Sequence, residues 1–100
     1  MMTFEQAQRL AWENKLAHGF STADVPLEFM LLVAELAEAF DAWRKQTGNA
    51  GEELADTAIF VLGLAQMLGF DLQQEVERKL KINAARVYRT LENGMKVKDQ

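Results

Sequence analysis

Fourteen consecutive residues, 57–70, lie between Asp56 and Asp71 without one charged side chain. The stretch is well short of the ~20 apolar residues a membrane span requires, so it is read as a buried core helix. Within it Ala58, Ile59, Phe60, Val61, Leu62, Leu64, Ala65, Met67 and Leu68 occupy the whole helix circumference rather than one stripe. Such a helix needs cover on every side. Either the rest of the chain wraps it completely or a second subunit covers what remains. For 100 residues the second is the expectation, and a homo-oligomer is predicted.

One proline, six glycines lying mostly outside the periodic segments, and no regular strand alternation predict helices separated by short breaks. A first helix starts near Thr3, which has capping-box spacing to Gln6, and ends around Ala17 before Gly19. A second begins near Pro26 and runs to about Gln46, leaving Ser21 to Val25 as a loop. Asn49 with Glu52 repeats the capping spacing and opens the third, which ends near Leu68 where Gly69 can turn left-handed. Asp71 with Gln74 opens a fourth, whose stripe Val76, Leu80, Ala84, Val87 and Leu91 carries it up to Asn93-Gly94. The expected fold class is all-α, a four-helix bundle-like single domain over residues 1–94, with 95–100 as a loose tail or arm.

Fifteen acidic against eleven basic residues give a net charge of −4, which repels a nucleic-acid backbone. No nucleic-acid or membrane partner is expected. The start of the chain lacks the basic and apolar segments of a secretory signal, and there is no cysteine, so a cytoplasmic protein is anticipated. One histidine and no cysteine leave no Ser/His/Asp or Cys/His nucleophilic set; His18, just before Gly19, reads as a helix C-terminal residue.

In the run 29–40 the only polar residues among twelve are Glu35 and Glu38. Three apart on a helix, they stand ~4.5 Å apart along the axis and ~60° apart around it, so both can point at one spot. The plainer reading makes Glu28, Glu35, Ala42 and Gln46 a solvated face with Glu38 at its edge. The spacing recurs at Glu53 and Asp56, where a helix dipole alone would also favour acids. Two antiparallel helices joined by a short turn would bring all four carboxylates together. Such a cluster repels itself unless protonated or shared with a cation, and oxygen-only donors suit hard ions such as Mg²⁺ or Mn²⁺. Mg²⁺ in turn points to phosphate chemistry.

Lys79, Asn83 and Arg86, spaced four and three apart, line one strip of the fourth helix and could grip phosphate oxygens; the alternative is an ordinary basic face extended by Arg78, Lys81 and Arg89. Of the aromatics, Trp12, Phe20, Trp43 and Tyr88 could stack on a nucleobase, Trp12 and Phe20 first, although aromatics at helical spacing also serve as core.

These segments together, Leu31 to Lys45, then Glu52-Glu53-Leu54-Ala55-Asp56, then Lys79 to Asn83 and Arg86, resemble the MazG-like all-α nucleotide pyrophosphohydrolases, whose signature is an ExxE pair followed by ExxD. Fourteen residues separate Glu38 from Glu53, and the similarity runs from about Lys15 to Tyr88. The resemblance implies that Glu35, Glu38, Glu53 and Asp56 bind Mg²⁺ and that Lys79, Asn83 and Arg86 contact the triphosphate. It implies hydrolysis of an NTP or dNTP to the monophosphate and pyrophosphate, one carboxylate doubling as general base; the homo-oligomer predicted above is expected to be a homodimer or homotetramer. Where some members carry a further acid before the ExxE pair, this chain has Leu32, Val33 and Ala34. Two other readings compete: a non-catalytic helical oligomerisation or regulatory module that binds nucleotide or a protein, and a helix-turn-helix over 25–56. The second is disfavoured by the scarcity of Lys and Arg at the start of the third helix.

Overall fold

The computed structural model describes residues 1–99. Four helices follow one another, α1 (Phe4–Ala17), α2 (Val25–Arg44), α3 (Ala50–Met67) and α4 (Leu72–Ala85), and two short strands, β1 (Tyr88–Thr90) and β2 (Lys96–Lys98), follow α4.

Local signals account for most of the helix ends. Thr3 and Gln6 form a reciprocal capping box, and Asp24 and Asp71 accept hydrogen bonds from the backbone N–H groups of Leu27 and Gln74. Asn49 departs from expectation: it sits at the N-cap of α3 but makes no capping bond, because its side chain is engaged with Thr47 and reaches Glu53. At the other ends, α1, α2 and α3 close alike. The N–H of Phe20 reaches the carbonyl of Lys15, Thr47 that of Ala42, and Phe70 that of Ala65, while the residue before each sits at positive φ. That residue is Gly19 and Gly69 in two cases but Gln46, φ 56°, in α2, which therefore stops at Arg44, short of the expected Gln46.

The packing is less symmetric than a four-helix bundle. α2 and α3 make the most extensive contact, α1 lies on α3, and α4 touches mainly α1. The chain bends by 107° between α3 and α4, and among the described residues none of α4 is buried. Gln8 pins this corner: its amide donates to Gln66 Oε1 (3.0 Å) and the Phe70 carbonyl (2.8 Å) and accepts from the Leu72 N–H (3.1 Å). The buried apolar core is small, formed by Ala39, Ala42, Leu62, Leu64 and Ala65. On α3 it takes in only part of the circumference, leaving Ile59, Val61 and Leu68 exposed.

The fourth helix ends at Ala85, well before Asn93-Gly94. Arg86 is already extended (φ −72°, ψ 144°), and the following Val87, Tyr88 and Thr90 are β-branched or aromatic residues that favour strand. Asn93-Gly94 is the turn of a hairpin rather than a helix stop: Gly94 takes φ 87°, its N–H reaches the Leu91 carbonyl (2.9 Å), and Thr90 pairs with Lys96. Within the tail expected to be loose, Lys96–Lys98 form β2, antiparallel to β1, while Gln100 lies outside the described residues. Among the described residues no single helix is long and apolar enough to cross a membrane.

Candidate functional site

The orientation of α2 decides what the site is made of. Its inward face carries Glu28, Ala39 and Ala42, all buried, with Glu35 half-buried. The idea that Glu28, Glu35 and Ala42 belong to a solvated face therefore fails; of that set only Gln46 is exposed. The outward face is instead apolar. Met30, Val33, Leu36, Phe40 and Trp43, spaced by three and four, are each more than half exposed, with Trp43 at 68 %.

Because α2 and α3 pack against each other, Glu35 and Glu38 meet Glu53. Carboxylate oxygens of these three lie within 4.8 Å of one another, Glu35 and Glu53 half-buried and Glu38 exposed. Asp56 stands beside this trio without belonging to it, close enough to act on Glu35 and Glu53 electrostatically. Partial burial pushes the Glu35 carboxyl above the ordinary glutamate range, and the negative charges of Glu38, Asp56 and Glu53 push it further. Glu53 is raised for the same reasons, burial first and then Glu38, Asp56 and Glu52. An all-oxygen donor set with mutual repulsion is one that a hard divalent cation could occupy and relieve.

Glu35 and Asp56 also line a cavity of about 340 Å³ between α1, α2 and α3. Its other walls include Asn14, Lys15, Phe20, Glu28 and Phe60. Lys15 Nζ and Glu28 Oε1 are 2.6 Å apart and almost fully buried, with side chains 11 % and 5 % exposed. The Lys15 ammonium lies 6.0 Å from the centre of the Phe20 ring. Sequence reasoning missed this pair: thirteen residues apart in the chain, on two different helices, each looks like an ordinary surface charge until α1 folds onto α2 and α3.

The remaining candidates are dispersed. Phe20 is in this cavity, but Trp12 lines a separate one of about 420 Å³ with Arg9, Gln66 and Phe70. Lys79 and Asn83 are exposed, and Arg86, half-buried, donates from Nη1 to Asn83 Oδ1 at 2.9 Å. Since α4 stands off from α2 and α3, the single chain does not bring this strip to the carboxylates. Charge follows the same division. Residues 1–77 hold thirteen of the fifteen acids, whereas 78–98 hold seven of the eleven basic residues.

No family model matches the chain, and no solved structure matches it. Among proteins of known name, the chain is 41 % identical over 63 residues, 63 % of its own length, to a "dATP/dGTP diphosphohydrolase" of Salmonella phage PMBT28. The match spans 20 % of that relative. Over those 63 residues the chain is similar to a nucleotide diphosphohydrolase.

Proposed function

We propose that this chain is a Mg²⁺-dependent nucleoside triphosphate pyrophosphohydrolase, converting an NTP or dNTP to the monophosphate and pyrophosphate. The observation that carries the reading is the convergence of carboxylates from two helices at the wall of a nucleoside-sized cavity. The similarity to the phage diphosphohydrolase supports it and makes dATP and dGTP the first substrates to assay.

In this reading Glu35, Glu38, Glu53 and Asp56 hold the ion, with Mn²⁺ as a substitute. Bound Mg²⁺ supplies charge neutralisation on the phosphate oxygens and Lewis-acid activation of water. One of these four carboxylates would take the proton of the attacking water as general base. Lys79, Asn83 and Arg86 bind the triphosphate. Because α4 stands away from its own α2 and α3, they do so from a second copy in a homodimer or homotetramer, whose contact also covers the outward apolar face of α2.

Incubation with a panel of NTPs and dNTPs and Mg²⁺ should release pyrophosphate, and EDTA should stop it. Glu38→Ala should lower the rate by roughly 10²-fold or more. Full activity in that variant would sink the metal assignment. Absence of turnover across the panel would favour a non-catalytic nucleotide-binding module instead.

A further inference from the structure

The Lys15–Glu28 pair lies outside the Glu35, Glu38 and Glu53 trio, is almost completely withdrawn from water and borders an open cavity. A buried ion pair is a poor stabiliser, since removing both charges from water offsets most of their attraction. An apolar pair would staple α1 to α2 at least as well. The cavity that these two charges border also carries two aromatic rings, Phe20 and Phe60, and the amide of Asn14, and it opens onto Glu35 and Asp56. Flat apolar walls, a few placed polar groups and a neighbouring phosphate-chemistry site are the features of a pocket for a nucleobase.

We infer that this cavity receives the base of the nucleotide and that Lys15 and Glu28 read its edge, favouring a base that presents an acceptor beside donors, guanine above the others. The inference rests on the reading of the adjoining carboxylates as a nucleotide site. Lys15 carries three donors and no acceptor, and only one is taken by Glu28 Oε1; ionised Glu28 offers only acceptors. Guanine sets its O6 acceptor next to the N1–H and N2–H₂ donors, matching an ammonium beside a carboxylate. Adenine and cytosine each offer one exocyclic amine next to a ring nitrogen, a partial match. Thymine and uracil flank their single N–H with two carbonyl oxygens, one of which must face the carboxylate. A site built on buried charges discriminates strongly, because the wrong base leaves a charge without its partner.

Binding of dGMP, dAMP, dCMP and dTMP to the full chain, measured by calorimetry, tests this without any turnover. The expected order is dGMP first, then dAMP and dCMP, with dTMP at least tenfold weaker than dGMP. Glu28→Gln, which keeps the shape and removes the charge, should weaken dGMP tenfold or more and leave dTMP within about twofold. The exchange Lys15→Glu with Glu28→Lys keeps an ion pair between α1 and α2 but exchanges donor and acceptor, so thermal stability should stay near that of the unaltered chain while the guanine preference disappears. Equal affinities for dGMP and dTMP in the unaltered chain, no detectable dGMP binding, or an unchanged preference in the exchanged variant would each overturn the inference. Selective dGMP binding without pyrophosphate release from any triphosphate would uphold the base pocket and remove the hydrolase reading. Pyrophosphate release with no base discrimination would do the reverse.

Discussion

Gln46 occupies a position at the end of α2 that α1 and α3 fill with glycine. At φ 56° a side chain crowds the carbonyl that follows it, costing about 1 kcal/mol that glycine avoids. Gln46→Gly should therefore raise the melting temperature by several degrees in a thermal unfolding scan. Glu35 makes a prediction of the opposite kind. Its carboxyl is raised in the folded chain, so the native state holds that proton more tightly than the unfolded state does. The corresponding stability is fully present below the ordinary glutamate range and is lost as pH rises through the raised value. Glu35→Gln abolishes this titration. Without divalent cation, the variant should gain stability relative to the unaltered chain as pH rises from the ordinary glutamate range through the raised value, as read by urea unfolding. If the proposed Mg²⁺ site exists, saturating Mg²⁺ should reverse the ranking near neutrality, because the variant lacks one of the carboxylates assigned to the ion.

Among the elements, the capping residues Thr3 and Asp71 and the glycines at 19 and 69 were legible because caps act within three or four residues of chain. The end of α4 was not. The spacing of Val76, Leu80, Ala84, Val87 and Leu91 satisfies a helix, but helical spacing is only a preference until something covers the stripe. Leu80 and Val87 are more than 60 % exposed here, so local strand preference and the Asn93-Gly94 turn prevail beyond Ala85. The hairpin is accordingly a separate and fragile unit. Gly94→Ala forces a side chain into φ 87° and should speed amide hydrogen exchange at 88–90 and 96–98 while leaving α1 to α3 protected as before.

The whole molecule is open for its length. Its radius of gyration is 16.5 Å, against about 13 Å for a compact chain of this size, and its long dimension is 50 Å. The apolar face of α2 and the basic arm formed by α4 and the hairpin are both uncovered, and the arm's charge complements the acids of the first three helices. If a second copy supplies what the protomer lacks, sedimentation should report a dimer or tetramer, and Trp43→Glu should shift it toward monomer. A mixture of Glu38→Ala chains with Lys79→Ala/Arg86→Ala chains should then recover pyrophosphate release that neither has alone. A monomer in sedimentation, or a mixture that recovers nothing, would return the basic strip to its own chain or remove it from the site.

The sequence by itself determined the four helices up to Ala85, the caps at Thr3 and Asp71, and the meeting of Glu35 and Glu38 with Glu53, because helical periodicity and a short connection leave two paired acids little choice of neighbour. Only the tertiary structure decided which way α2 faces, that α4 turns away at 107°, and that Lys15 and Glu28 join inside a cavity. Those outcomes depend on which surfaces are removed from water. That is a property of the packed chain, and no stretch of residues specifies it alone.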